Sequence, residues 1–124
     1  MELGLEPRVK FVDYISSKEL PHIYAQADLF VFPSLYEGFG LPTIEAMACG
    51  CPVVASDCAS LPEVCGDAAS YFNPTDVSDM AKAISAVLDK PELRAEMIER
   101  GYKRVQAFNW EETAKRYLAL LCKM

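Results

Sequence analysis

Residues 29–50 read LFVFPSLYEGFGLPTIEAMACG, and this stretch decides the fold class. Its first four residues are apolar without alternation, which is typical of a strand buried on both faces of a parallel sheet. Pro33 ends that strand, a turn with two glycines follows at 37–40, and Pro42 lies near the start of a helix. Gly50 is the residue type that we expect just beyond the end of this helix. The stretch therefore predicts a strand–turn–helix unit.

The same alternation of apolar runs and helical spacing continues along the chain, which is typical of the α/β class. Three further strands are predicted, at 8–12, 52–56 and 69–72. Helices are predicted after residues that commonly open them, namely Ser16, Asp76, Pro91 and Asn109. We predict that Gly101 marks a helix end or a bend. The whole is expected to be a partial Rossmann-like, three-layer fold of about four mostly parallel strands, with helices on both faces.

Composition excludes several classes of protein. The chain has 124 residues, enough for one domain, and a net charge of −6 without a Lys/Arg cluster, so nucleic acid is not an expected partner. No apolar run approaches the roughly 20 residues that span a membrane. The amino terminus has no signal-peptide pattern, and the five cysteines have no disulfide-framework spacing. We therefore expect a cytoplasmic protein with reduced thiols, whose full-length parent could attach peripherally to a membrane.

Metal chemistry has little support in the sequence. Cys49, Cys51, Cys58 and Cys65 do not form the paired spacing of structural zinc sites, so we predict no metal and no cofactor. His22 is the only histidine and has no evident acid–base partner, which favours a packing or surface role.

The turn at 37–42 carries the chemistry. Gly38 and Gly40 would let a ligand approach the backbone, and the helix beyond them would aim free N–H groups at a phosphate. Glu37 and Glu45 flank the turn, and carboxylates accept hydrogen bonds from sugar and ribose hydroxyls. This combination indicates a nucleotide sugar. The alternative is a plain turn with a solvated Glu37 and with Glu45 stabilised by the dipole in the first helical turn.

Four segments, from about Arg8 to the carboxyl terminus, resemble the family-4 retaining glycosyltransferases of the GT-B fold. They are residues 24–50, 52–57, 61–64 and 108–110, and the pair Glu37 and Glu45 within 24–50 is the most specific part. The resemblance implies transfer of a sugar from a nucleoside-diphosphate sugar (UDP-, GDP- or ADP-linked) to an acceptor, with retention of configuration. It implies no obligatory metal.

The resemblance also implies roles for individual positions. Glu37 matches the acidic residue that contacts the transferred sugar, and Glu45 matches the one that holds the ribose hydroxyls. Tyr14 and Ile15 fall where the nucleobase pocket is lined. The remaining donor-binding positions match the backbone that contacts the diphosphate, and they are Gly38, Phe39, Gly40 and Leu41.

The sequence departs from the family in two ways. Residues 1–124 correspond to a single domain, the carboxyl-terminal part of the donor-binding half, without the amino-terminal acceptor domain or the first donor-domain strands. The Arg/Lys pair of those strands is absent too, and Asp13 stands where the family has glycine. We therefore expect the isolated chain to be inactive. The alternative reading is a non-enzymatic half-domain, truncated or engineered, that serves as a folding or assembly unit.

Loss of the central strands would leave an open apolar edge at the 29–32 strand. Two remedies are possible. The 8–12 strand could move in beside it, or two chains could associate through the open edge or the last helix. We favour association as a homodimer, because Trp110, Tyr117 and Leu121 would also lack a covering surface.

Overall fold

The computed structural model describes residues 3–123, which fold around a sheet of three parallel strands. The strands are β1 (Phe30–Phe32), β2 (Val53–Ser56) and β3 (Ala69–Phe72). They lie in the order β1-β2-β3, with Phe30 opposite Val53 and Val53 opposite Ala69. The α/β class is confirmed.

Six α-helices surround or extend from the sheet. They are α1 (Leu20–Gln26), α2 (Leu41–Ala48), α3 (Leu61–Cys65), α4 (Val77–Leu88), α5 (Pro91–Val105) and α6 (Trp110–Cys122). Two short 3-10 turns lie at Glu6–Arg8 and Gly66–Ala68. None of the helices within residues 3–123 has the length and apolarity needed to cross a membrane.

Alternate residues of β2 point into two separate cores. Val53 and Ala55 lie in one core with Met47 of α2 and Leu61 of α3. The other core joins Val54 to three residues from β3, α4 and α5, namely Phe72, Val87 and Met97. Because successive side chains of a strand face opposite sides, this arrangement produces the predicted three layers.

The predicted strand at 8–12 is wrong. Arg8 ends the first 3-10 turn, and residues 9–12 lie outside helix and strand. Phe11 is 92% exposed, so this segment has no apolar surface to cover its side chains. Of the two remedies, the first is therefore wrong as well, because β1 lies at the edge of the sheet and no strand in residues 3–123 pairs with its other side. Alternation alone cannot form a strand that has no neighbour to accept its hydrogen bonds.

The prediction of a helix end at Gly101 is also wrong, because α5 continues to Val105. A Cβ at Gly101 would lie 3.3 Å from the Cβ and Cγ atoms of Met47. The glycine therefore permits close packing of α5 against α2. Two of the predicted caps are confirmed: Asp76 accepts from the N–H of Asp79, and Asn109 accepts from that of Glu112. The cap predicted at Ser16 is wrong, because Ser16 accepts from the N–H of Glu19 in a turn before α1, and Glu19 precedes α1 without a side-chain cap.

Candidate functional site

The turn between β1 and α2 lies at the carboxyl end of β1, the edge at which parallel sheets bind ligands. Gly40, immediately before α2, adopts the left-handed conformation with φ 85° and ψ 45°. A Cβ at this position would lie 2.5 Å from Cδ2 of Leu61, which is fully buried. Both the backbone angles and the lack of space therefore require glycine here.

The start of α2 leaves consecutive N–H groups without protein acceptors. Among residues 3–123, no protein group accepts a hydrogen bond from the N–H of Phe39, Gly40 or Leu41. Gly40 has no side chain to cap the helix, and the first turn contains no acidic residue. These donors lie at the positive end of the helix dipole. The arrangement is therefore suited to an anionic group such as a phosphate.

Glu37 is held in place by its own turn. Its Oε1 lies 3.2 Å from Oγ of Ser34, and the same hydroxyl lies 2.9 Å from the carbonyl oxygen of Tyr36. The carboxylate is half-buried and has further lone pairs for other donors. Ser34 has one hydroxyl proton to share between the Tyr36 carbonyl and Oε1 of Glu37, so its hold on the carboxylate is partial and leaves acceptor capacity for a ligand hydroxyl.

Short side chains after β2 form hydrogen bonds to main-chain carbonyls at the end of β1 and in the turn that follows it. Ser56 donates to the carbonyl of Phe32 at 3.3 Å. Cys58 lies 3.2 Å from the carbonyl oxygen of Ser34, and Ser60 donates to the carbonyl of Glu37 at 3.1 Å. Between these donors, Ala59 has a φ of 54°, an unusual value for a residue with a side chain. The two loops therefore form one hydrogen-bonded edge.

Sequence reasoning missed these ties. The sequence pattern led to Cys58 only as a possible zinc ligand, and no hydrogen-bonding role was predicted for Ser56 or Ser60. The available signal was the run of small donors at every second position of 56–60, directly after a buried strand. Such donors commonly bond to nearby main-chain carbonyls at strand ends.

Glu45 lies in the second turn of α2, as its fifth residue, and the prediction of a first-turn position is wrong. The half-buried carboxylate lies near the hydroxyl of Tyr24 on α1. Burial raises the pKa of Tyr24, and the negative charge of Glu45 raises that pKa further. The phenol is therefore a neutral donor beside this carboxylate at physiological pH.

The remaining predicted positions are less enclosed. Tyr14 is 82% exposed and Ile15 is half-buried, and both precede α1 outside helix and strand. Gly38 is exposed, with open space where a Cβ would project. Leu41 is half exposed at the surface of the turn.

An apolar groove of about 650 Å³ lies beside the turn. The ring of Phe39 meets that of Phe108 edge-on, with centroids 5.3 Å apart, and forms part of its wall. The other lining residues come from α2, from α6 and from the segment between α5 and α6, and they include Leu41, Ile44, Trp110 and Tyr117. The groove adds an apolar wall next to the free N–H groups.

Positive charge is scarce around the turn. Residues 33–48 contain no Lys or Arg. Arg104 lies over the ring of Phe108, with its guanidinium carbon 5.1 Å from the centroid. That guanidinium donates to the carbonyls of Val64 and Glu63 at 2.7 and 2.6 Å, so it is engaged by α3.

The thiols differ mainly in burial. Cys51 and Cys65 are buried, and desolvation raises the pKa of Cys51 to about 11 and also raises that of Cys65. Cys122 on α6 is exposed. No cluster of three or more His, Cys, Asp or Glu side chains within residues 3–123 is arranged to hold a metal ion.

The three-layer fold, with a parallel sheet and a glycine turn before α2, is that of a Rossmann-like domain of the GT-B glycosyltransferases. Comparison with known proteins agrees: the family described as Glycosyl transferases group 1 matches residues 1–104. The chain belongs to this family, and the resemblance stated from its sequence is confirmed.

Individual relatives give the same result. The chain is 44% identical over 103 residues to O-antigen chain mannosyltransferase B of Escherichia coli, covering 83% of the chain and 27% of the relative. It is 37% identical over 123 residues to MMP alpha-(1->4)-mannosyltransferase of Mycolicibacterium hassiacum, covering 96% and 30%.

Among solved structures, sucrose-phosphate synthase from Thermosynechococcus elongatus superposes with a TM-score of 0.85 at 37% identity. That match covers 98% of the chain and 32% of the synthase. The chain thus spans less than a third of the length of these three proteins.

Proposed function

We propose that this chain forms the donor site of a glycosyltransferase that takes a sugar from a nucleoside diphosphate and transfers it with retention of configuration. The observation that carries the proposal is the start of α2, where three consecutive N–H groups have no protein acceptor among residues 3–123. Glu37 precedes these donors and Glu45 follows them. A ligand with a diphosphate for the N–H donors and hydroxyls for the two carboxylates matches these groups.

The diphosphate would bind at the N–H groups of Phe39, Gly40 and Leu41. Hydrogen bonds from a backbone N–H to an anion are charge-assisted and stronger than those to a neutral acceptor. The absence of an acidic residue in the first turn of α2 removes the competing negative charge. The exposed Gly38 offers no side chain that would block the approach.

The carboxylates would bind the neutral parts of the donor. Glu37, partly held by Ser34, would accept from a hydroxyl of the transferred sugar, and Glu45 would accept from the ribose hydroxyls. Tyr14 and Ile15 would line the nucleobase side. Reversing these roles would place a carboxylate against the diphosphate, which electrostatic repulsion opposes.

In the transfer step, the bond between the anomeric carbon and the diphosphate oxygen breaks while the acceptor oxygen bonds to that carbon on the same face, which retains the configuration. The proton of the acceptor hydroxyl passes to the departing diphosphate oxygen. The diphosphate leaves with increased negative charge, which N–H groups and cations stabilise. Because residues 33–48 contain no Lys or Arg, the turn itself supplies only the neutral part of this stabilisation. We expect weak donor binding and no turnover by the isolated chain, with the acceptor domain as its natural partner.

Isothermal titration of the chain with GDP-mannose, UDP-glucose and ADP-glucose tests the proposal. Mannose is the first sugar to try, because two of the relatives above are named mannosyltransferases. We expect weak binding of at least one donor, and Glu45→Gln should reduce its affinity about tenfold, as loss of a charged acceptor does. Glu99→Gln on the exposed face of α5 is the matched control and should change nothing.

If none of the three donors binds, the donor-site proposal fails and only shared ancestry remains. Equal losses in the Glu45 and Glu99 variants would likewise contradict the assignment, since Glu99 lies away from the turn.

A specific observation supports a second candidate, an assembly unit. Helix α6 buries no residue, and Trp110, Tyr117 and Leu118 on it are all more than 60% exposed. One edge of β1 is also unpaired within residues 3–123. Such surfaces favour association, with a homodimer as the simplest form. Light scattering that finds a strict monomer at high concentration would reject self-association, and turnover of a labelled donor by the chain would reject a purely non-enzymatic role.

A further inference from the structure

Thr43 has a fully buried hydroxyl beneath the turn, and its partners form a chain of hydrogen bonds. Its Oγ1 donates to the carbonyl of Gly40 at 2.7 Å, and its N–H donates to the same carbonyl at 3.0 Å. Sγ of Cys65 lies 3.3 Å from this Oγ1. The side chain has no exposed surface.

The proton positions in this chain follow from simple counting. Thr43 has one hydroxyl proton, and the carbonyl of Gly40 can only accept, so that proton points at the carbonyl. The thiol of Cys65 must then donate to Oγ1. Burial raises the pKa of Cys65, so the thiol keeps its proton at neutral pH and can serve as this donor.

Because the peptide bond is planar, fixing the carbonyl of Gly40 also fixes the direction of the N–H of Leu41. In a planar trans peptide, the C=O of Gly40 and the N–H of Leu41 point in opposite directions. Two donors from Thr43 hold that carbonyl on the side of α2. The N–H of Leu41 is therefore held facing away from the helix interior, on the side of the turn.

We propose that Thr43 is a positioning residue of the donor site, which fixes the Gly40–Leu41 peptide so that the N–H of Leu41 points at the diphosphate. This inference rests on the proposed function, and it adds a buried residue that does not touch the donor. The left-handed backbone of Gly40 and the packing of Leu61 beneath it support the same peptide orientation.

The hydroxyl of Thr43, and not the volume of its side chain, fixes the Gly40–Leu41 peptide. Thr43→Val has almost the same shape but leaves the Gly40 carbonyl with one donor and the Cys65 thiol without its acceptor. Thr43→Ser keeps the hydroxyl and loses only a methyl group. Comparison of these two variants separates positioning from packing.

The test measures binding of GDP and of guanosine to the full chain by NMR titration, in the original sequence and in both variants. GDP contains the diphosphate and guanosine lacks it, so their affinity ratio isolates the contribution of the turn. We expect Thr43→Val to weaken GDP binding about fivefold, the effect of one hydrogen bond, with guanosine binding unchanged. Thr43→Ser should restore GDP binding to within about twofold of the original, because the bond is kept.

Each other result has a distinct meaning. Unchanged GDP binding in Thr43→Val overturns the positioning role and leaves the donor site intact. Equal weakening of GDP and guanosine also overturns it, because the effect would then be structural. If the original chain binds GDP no better than guanosine, the comparison is repeated with UDP and uridine and with ADP and adenosine. If none of the three diphosphates binds better than its nucleoside, the proposed function fails and this inference fails with it. If Thr43→Val does not fold, Thr43→Ala replaces it in the same comparison.

Discussion

Helices α2 and α6 both begin beside the contact of Phe39 with Phe108, yet their first N–H groups meet different partners. In α6, the side chain of Asn109 accepts from the N–H of Glu112 at 2.6 Å, and the first turn contains two acidic residues. In α2, the capping position is a glycine and the first turn contains no acid. One helix start is neutralised by its own chain, and the other is left able to bind an anion.

The two helices also differ in burial. Helix α2 buries Thr43, Ile44, Ala46 and Met47, whereas α6 buries none of its residues. Both helices carry several apolar residues, so the difference comes from their neighbours and not from their composition. The comparison shows that the open helix start lies on the better packed of the two helices, which favours a precise binding site. The following predictions test this contrast in order of decreasing effect.

Substitution of Gly40 should have the largest effect. Gly40→Ala places a Cβ 2.5 Å from Leu61 and forces alanine into the left-handed region. We expect a loss of about 2–4 kcal/mol in the free energy of unfolding, from backbone strain plus overpacking. Urea denaturation measures it. Gly38→Ala is the matched control, since its Cβ meets open space and should cost less than about 0.5 kcal/mol. Equal losses at both positions would contradict the account of the turn.

Alkaline pH should lower the free energy of unfolding, because two buried groups would lose their protons. The pKa values of Cys51 and Tyr71 are raised to about 11 and about 12, in both cases first by burial. The unfolded chain releases these protons first, so stability is complete below about pH 9 and falls as pH rises towards 11. For Cys51 alone, the loss is on the order of 2 kcal/mol.

Urea midpoints from pH 8 to pH 11 measure this slope. Cys51→Ala should flatten it, whereas Cys122→Ala on exposed α6 should not. A midpoint that stays constant over this range would show that folding does not raise the pKa values of the buried thiol and phenol.

Removal of the α6 cap should have an intermediate effect. Asn109→Ala leaves the N–H of Glu112 without its side-chain acceptor and should cost about 1 kcal/mol. Because α6 packs weakly, we expect faster amide hydrogen exchange confined to that helix. Asp76→Ala removes the corresponding cap of α4, which packs on β3, so its cost should appear in global unfolding. A global effect of the same size from Asn109→Ala would indicate that α6 is better packed than its exposure implies.

Substitution on the apolar face of α6 should have the smallest effect. Leu118 is 63% exposed, so Leu118→Ser should change the stability of a monomer by less than about 0.5 kcal/mol. Thermal melts at several protein concentrations measure it. If copies associate through α6, the loss will instead be larger and will depend on concentration.

The strand–turn–helix unit at 29–50 and the caps of α4 and α6 could be predicted from the sequence, because neighbouring residues determine each of them. The apolar run at 30–32, the glycines of the turn and the caps Asp76 and Asn109 determine their structures within a few residues. The prediction at 8–12 was wrong because a strand requires a partner, which a local pattern does not reveal. Gly101 was misread because its role is to admit Met47, a residue more than fifty positions away.

The candidate site was predictable only in part. The Glu37 and Glu45 pair came from residue spacing and family resemblance, although Glu45 lies one turn further along the helix than expected. The ties from Cys58 and Ser60, and the buried hydroxyl of Thr43, depend on how two loops and two helices meet in space. Such contacts join residues about 20 positions apart, and short-range patterns do not reveal them.

The central claim is that the start of α2, and no other helix start, binds the diphosphate of a nucleotide. Titration of the ¹⁵N-labelled chain with GDP tests it directly through the amide signals. We expect the amides of Phe39, Gly40 and Leu41 to shift in a saturable manner, while those of the capped first turns of α4 and α6 do not. Shifts confined to the capped turns, or no shift at residues 39–41 at millimolar GDP, UDP or ADP, would contradict the account.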